Sequence, residues 1–403
     1  MFRYFPDHYA LSFKVLRAIG GICTGQAEFG EIQQACERID PDDPDSWTDA
    51  WEAMGDRLYG MAKAAEAGRH FVTASGEYCR ATEYYHNAQF FLDGDDPRRS
   101  GIYGKYRECF LKGTERHDPR PVEVHIPYED TFLYTYFLPA KDPDPSGRTP
   151  AMVWFGGLDS TAEEAYFAVC MDYSRRGFHC LIVDGPGQGA SLRLNGVRSR
   201  HDYETAGTAA FDYLETRDDV DLSRVAVVAW SLGGYYAPRI VSFEHRYAAC
   251  ITYGAEYDYG RTWEKRIAAG THALSPYAKW INGVGSMEEA LEKFRRFTLE
   301  GVLRNVTCDV LITFGEDDPQ QTLEGAERIC REMVNARSVS FKLFTKEEGG
   351  CCHVCADNLT LGNSYTADWL MDLFGMTPAG SEPGTALREE AAMDTGYRSQ
   401  RLE

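Results

Sequence analysis

Ser231, Asp318 and His353 occur in the chain order in which a nucleophile, a carboxylate and an imidazole can be assembled for attack on a carbonyl. A serine hydroxyl is a weak nucleophile until an imidazole takes its proton and a carboxylate orients that imidazole. Ser231 follows the run Arg224–Trp230, apolar after its first residue, and precedes Leu232-Gly233-Gly234. The pattern predicts a buried strand that breaks sharply into a helix through Tyr235 and Tyr236, with the serine Oγ exposed at the break. Ala229 stands where glycine is usual in such a turn, a mild steric departure. Serines before glycines also fill ordinary turns, so the motif depends on its downstream partners.

Residues 310–314 read as a strand covered on both faces and end in Gly315-Glu316-Asp317-Asp318-Pro319. Asp318 is the expected acid, with Asp317 its rival and Glu316 a weaker one. Residues 338–344 alternate as a strand and lead to Gly349-Gly350-Cys351-Cys352-His353; a helix over about 357–374 follows. A histidine beside glycines, taken alone, reads as a solvated loop residue. Behind a matching serine and carboxylate, His353 is the expected general base. Residues 150–155 form another buried run, ending in Gly156-Gly157-Leu158-Asp159. The backbone N–H groups of Leu158 and Leu232 are the expected oxyanion donors, and Asp159 is expected to shape that loop. Residues 178–183 form a further strand before the glycine-rich loop that begins at Asp184. No Lys-Ser/Thr pair and no G-x-G-x-x-G spacing accompany it, which argues against a nucleotide site.

These turns need a mostly parallel sheet beneath them. Ahead of it, residues 1–118 read as a helical region. Asp45 or Ser46 is the expected cap of a helix through Trp47, Trp51, Met54 and Leu58 that ends at Gly68. A second helix is expected over about 70–92, stopped by the sequence at 95–99, and a third over about 103–111. Residues 122–126 and 131–138 alternate as an antiparallel hairpin at the sheet edge. The catalytic region is expected at 119–376, with an insertion at about 256–300 over the site and a mobile tail at 377–403.

The 403 residues carry 42 basic and 62 acidic side chains, a net charge of −20, which argues against nucleic acid or an anionic membrane as partner. No apolar stretch approaches the roughly 20 residues of a membrane span, and no secretory leader is visible, so a cytoplasmic location is expected. Most of the twelve cysteines sit singly in apolar contexts. Cys351-Cys352-His353-Val354-Cys355 holds one C-x-x-C pair, whereas a structural zinc site draws on two. Neither a metal nor a cofactor is expected.

The helical N-terminal region, Gly156-Gly157-Leu158-Asp159-Ser160, the 184–189 loop, 230–236 and 349–353 together resemble one α/β-hydrolase group. It includes 2,6-dihydroxypseudooxynicotine hydrolase, the yellowish-green pigment polyketide-shortening hydrolases and hydrolases of fusarin- and cytochalasan-type pathways. The likeness spans about residues 8 to 375. It implies a doubly wound α/β-hydrolase fold with a helical cap over the triad, and substrates bearing a ketone or acyl group beside an aromatic or polyketide chain. Several members cleave a carbon–carbon bond and others promote ring closure. Cys351 and Cys352 before the histidine are unusual for the group.

Cleavage of a β-diketone would release a carbanion, for which an additional acid is useful. Glu256, just past the apolar run at 248–253, is the first candidate, with Asp258 its competitor. Trp230 beside the nucleophile, and Tyr84, Tyr85 and His86 reaching down from the cap, are the other expected substrate-binding residues, although aromatics at such spacing more often pack a core. The expected function is hydrolysis of a small-molecule carbonyl substrate, by ester or C–C cleavage. A cyclase or lyase using the same triad is the second reading, and a ligand-binding protein on this fold the third. A peptidase fits less well, since no large gating domain precedes the core. The aromatic N-terminal region also makes a homodimer an expectation.

Overall fold

The computed structural model describes residues 2–270 and 273–376; the expected tail at 377–403 lies outside the described residues. Eight strands form one sheet in the order β1-β2-β4-β3-β5-β6-β7-β8. They are β1 (Val122–Tyr128), β2 (Thr131–Leu138), β3 (Thr149–Phe155), β4 (His179–Val183), β5 (Val220–Trp230), β6 (Ala249–Tyr253), β7 (Asp309–Gly315) and β8 (Ser338–Phe344). β1 and β2 are the antiparallel hairpin at one edge, and β3 to β8 run parallel. Continuous apolar runs make the central strands because both faces are covered. In β5, Val225, Val227 and Ala229 enter one core while Ala226, Val228 and Trp230 enter the other, the period of two that a pleated strand imposes.

Helix Gly233–Val241 packs on the first face through Tyr235, Tyr236, Ala237 and Ile240, and helix Leu359–Leu373 covers the second through Ala367 and Leu370. The insertion consists of helices Tyr259–Ala268, Ser275–Asn282 and Met287–Phe294, whose Trp263, Tyr277 and Phe294 join the first core. Among the described residues no helix is long and apolar enough to cross a membrane.

Among the described residues the N-terminal region holds five α-helices: α1 (Tyr9–Gly20), α2 (Phe29–Cys36), α3 (Pro44–Ala67), α4 (Phe71–Ala88) and α5 (Arg98–Thr114). They share a core built on Trp47, Trp51, Tyr78, Tyr84 and Tyr106. α3 starts earlier than expected. Asp43, not Asp45 or Ser46, caps it by accepting the Asp45 N–H, and Pro44 takes the first-turn position that lacks a needed N–H. α5 begins at Arg98 because Asp96 Oδ1 accepts the Arg98 N–H at 2.8 Å, so the segment expected only to stop one helix also starts the next.

Candidate active site

β5 ends at a strained turn. Ser231 has φ +59°, and its N–H donates to the Tyr253 carbonyl at 2.9 Å, so the backbone is pinned while the side chain projects beyond the sheet. Ala229 is tolerated because its Cβ abuts Gly233, where an added Cβ would lie 2.7 Å away. Gly157 is likewise required, since a Cβ there would come 2.8 Å from the Ser231 Cβ.

The loops after β7 and β8 deliver the other two groups. His353 Nε2 lies 2.8 Å from Ser231 Oγ, and His353 Nδ1 lies 2.7 Å from Asp318 Oδ2. The Asp318 side chain is fully buried and that of His353 nearly so. Asp318 Oδ1 accepts the Gln320 and Gln321 N–H groups at 2.7 and 3.2 Å, which leaves Oδ2 for the imidazole. The rivals point elsewhere: Asp317 pairs with Lys346 at 2.8 Å, and Glu316 accepts the Lys346 N–H. Gln321, which the sequence did not single out, donates to the Ser231 carbonyl at 2.8 Å and accepts the Ala255 N–H at 3.0 Å.

The histidine loop lies directly on the end of β7. A Cβ at Gly315 would strike the carbonyls of Cys351 and Cys352. Both cysteine N–H groups donate to Asp357, and the two thiols lie with that carboxylate inside 4.8 Å, a three-ligand group short of the four of a structural zinc site. Cys355 packs instead against Gly362.

On the opposite side of Ser231, the Gly157 N–H is taken by Ser160 Oγ at 2.8 Å, and the same oxygen accepts the Trp230 indole N–H at 2.8 Å. The N–H groups of Leu158 and Leu232 have no hydrogen-bond partner among the described residues. Beyond them Asp159 Oδ2 accepts from Lys14 Nζ and Arg17 Nη1, both at 2.9 Å, and Arg17 also pairs with Glu164. Burial raises the Asp159 carboxyl, but Arg17 and Lys14 outweigh it and hold the group well below the usual carboxylate range.

A cavity of about 790 Å³ opens over these groups, lined by Ser231, His353, Trp230, Phe13, Phe90 and Trp263 among others. Trp230 therefore sits where expected. Four other expected substrate contacts are corrected, because none of them lines the cavity. Glu256 faces a separate pocket of about 100 Å³, and accepts the Thr262 hydroxyl at 3.0 Å; burial pushes it up to about 7 against Arg266. Its competitor Asp258 caps helix Tyr259–Ala268. Tyr84 is stacked on Trp51 and donates to Glu31 at 2.6 Å, and Tyr85 donates to Asp56 at 2.6 Å. His86 is packed beside Tyr106, and burial, then Lys14 and Arg17, lower it well below its ordinary value. α4 is enclosed along this stretch, so its aromatic residues serve the helical core. Glu83 on the same helix does line the cavity. Its Oε1 accepts from Asn87 at 2.9 Å, and burial followed by neighbouring Glu164 pushes its carboxyl up to about 7.

α1 also lines the cavity, which sequence reasoning missed. Tyr9, Phe13 and Arg17 recur every four residues and fall on one helix face. Tyr9 accepts from Gln320 at 3.2 Å, the Phe13 ring centre lies 5.9 Å from that of His353, and Arg17 meets Asp159. The four-residue period was the available signal.

A parallel sheet with a serine at the sharp end of β5 and an Asp–His pair beyond β7 and β8 defines an α/β-hydrolase. Residues 165–371 match the prolyl oligopeptidase family, and the chain belongs to it. Hydrolase acrC of Aspergillus aculeatus is 30% identical over 374 residues, covering 80% of this chain and 87% of its own. The 20-hydroxy-prefusarin hydrolase FUS2 of Gibberella moniliformis is 28% identical over 344 residues, covering 76% and 82%. The crystal structure of 2,6-dihydroxy-pseudo-oxynicotine hydrolase superposes with a TM-score of 0.74 at 24% identity, over 89% of this chain and 97% of that one, and shares the fold. The resemblance read from the sequence motifs thus holds, and the chain is a hydrolase of the α/β class.

Proposed function

We propose that the chain hydrolyses a small-molecule carbonyl compound through Ser231, His353 and Asp318, acting on an ester or on the C–C bond of a β-diketone. The continuous Ser231–His353–Asp318 hydrogen-bond chain, opening on the cavity, carries this reading. Ser231 Oγ attacks the carbonyl carbon as its proton passes to His353 Nε2, and Asp318 stabilises the imidazolium through Nδ1. The unpartnered Leu158 and Leu232 amides receive the developing oxyanion, a contribution of about 3–4 kcal/mol per donor. Breakage of the bond to the leaving group forms an acyl-enzyme, and the leaving group takes the imidazolium proton. Water, deprotonated by His353, then releases the acid and restores the serine.

The cavity volume lies inside the roughly 300–1,000 Å³ range of small-molecule sites, and its Phe and Trp lining suits an aromatic or polyketide-like chain. Glu83 supports the C–C reading, because a cavity carboxyl still about half protonated near pH 7 can meet the charge on a carbanionic or enolic leaving group. Mass spectrometry of the intact protein after incubation with a fluorophosphonate, p-nitrophenyl esters and aryl β-diketones tests the reading. One adduct on Ser231, and turnover lost in Ser231→Ala, are expected. Turnover that survives in Ser231→Ala would overturn it, and a cyclised product without uptake of water would replace hydrolysis by ring closure.

A further inference from the structure

The loop that carries the Leu158 amide is anchored from two directions. On the sheet side, Gln188 donates to the Gly157 carbonyl at 2.7 Å and Ser160 holds the Gly157 N–H. On the other side, among the described residues, the Asp159 carboxylate accepts from α1: Lys14 and Arg17, each at 2.9 Å on the same oxygen. These groups are deeply placed. The Lys14 side chain is 1% exposed, its ammonium lies 3.8 Å over the Phe90 ring, and the Arg17 and Asp159 side chains are 13% and 15% exposed.

An ion pair this buried is a poor device for stability, since desolvation offsets its attraction and apolar replacements often serve as well. It is a good device for fixing geometry, because a carboxylate held by two cations has one low-energy position. Lys14 and Arg17 face Asp159 and Glu164, with the Glu83 carboxyl nearby. α1 is itself held by the helical core through Val15 and Ala18. The same helix touches His353 through Phe13 and the acid loop through Tyr9.

We propose that Lys14, Arg17 and Asp159 form a clamp by which α1 sets the oxyanion loop, placing the Leu158 N–H for transition-state binding. They are positioning residues; they act through Leu158. The oxyanion site is therefore complete only when the N-terminal helix is docked, which ties the helical layer to the chemical step. The inference rests on Ser231 being the nucleophile.

An alkyl fluorophosphonate tests it with no knowledge of the natural substrate. The Ser231 Oγ–P bond forms, the P–F bond breaks with loss of fluoride, and the serine proton passes to His353 while the phosphoryl oxygen occupies the oxyanion site. The full chain is compared with Asp159→Asn, with Arg17→Met, and with the double variant Lys14→Met/Asp159→Asn. The double variant removes one charge of each sign and leaves Arg17 with Glu164, so the net charge of the site is unchanged if a single variant fails to fold. The expected phosphonylation rate constant is lower by on the order of 100-fold, the penalty of a displacement of about 1 Å in a reacting geometry. With p-nitrophenyl butyrate, kcat should fall to a similar extent with KM changed about twofold or less. Arg17→Lys, which keeps the charge, should recover part of the loss. A folded double variant that is labelled and turns over at the parent rate overturns the clamp while leaving the triad reading intact. Failure of the parent chain itself to label Ser231 removes the triad reading and the clamp with it.

Discussion

The loops at the carboxyl ends of β5, β7 and β8 and the helices of residues 9–114 contribute to one site by different physics. Each sheet loop is shaped by short-range geometry: Ser231 by its positive φ, Asp318 by the two N–H groups that follow it, His353 by glycines that let its loop lie on β7. The helical layer contributes Phe13, Lys14, Arg17 and Glu83 from ordinary helical backbone, where any of many residues would fit. Their roles come from what lies opposite them. A functional group set by its own turn is visible in a short motif, whereas one set by a distant partner is not.

Breaking the sheet side should have the largest effect. Ser231→Ala is expected to abolish fluorophosphonate labelling and to lower turnover by on the order of 10⁶-fold, read in single-turnover assays with p-nitrophenyl esters. Asp318→Asn should lower kcat by about 10⁴-fold, whereas Asp317→Asn, which only loses a surface pair with Lys346, should stay within twofold. Equal losses in the two variants would assign the acid wrongly.

The helical side gives smaller and more graded effects. Glu83→Gln removes a cavity carboxyl that is about half protonated near pH 7. If that proton serves a carbon leaving group, β-diketone cleavage should fall by about 10²-fold with ester cleavage little changed; equal loss on both substrates would remove the acid role. Tyr85→Phe leaves Asp56 short of one hydrogen bond and should cost about 1 kcal/mol in denaturant unfolding with kcat unchanged.

Glu256 sharpens the comparison through stability, since it lies outside the cavity. Its folded pKa of about 7 is above the ordinary 4.5. The folded protein thus keeps a proton that the unfolded chain has released. The stability present below about pH 4.5 declines as pH rises toward 7, by about 3 kcal/mol at most. Glu256→Gln should flatten that part of the stability profile, followed by urea unfolding between pH 4 and 8, and leave kcat within twofold. A loss of activity at constant stability would return Glu256 to the site.

Legibility followed the same divide. The strand runs, the hairpin at the sheet edge and the three loops that carry Ser231, Asp318 and His353 were readable, because periodicity and turn glycines report local geometry directly. Trp230 lines the cavity because it is adjacent to Ser231 at the end of β5. Tyr84, Tyr85 and His86 were misplaced because a helix surrounded on all sides makes packing residues look like ligands. Glu256 was misplaced for another reason: the strand end was correctly found, but the chain turns its side chain toward Thr262 and away from the cavity. Lys14 and Arg17 went unnoticed because an isolated cation on an amphipathic helix reads as solvated surface.

By itself the sequence determined which backbone turns form, since strand patterning, positive-φ sites and glycine contacts are short-range constraints that few residues satisfy. Tertiary structure alone decided that α1 meets the loop after β3, across 142 positions between Arg17 and Asp159. Such a contact leaves no local trace: its energy lies in the pairing of two buried opposite charges, and neither residue carries any mark of its partner until the helical layer and the sheet have packed.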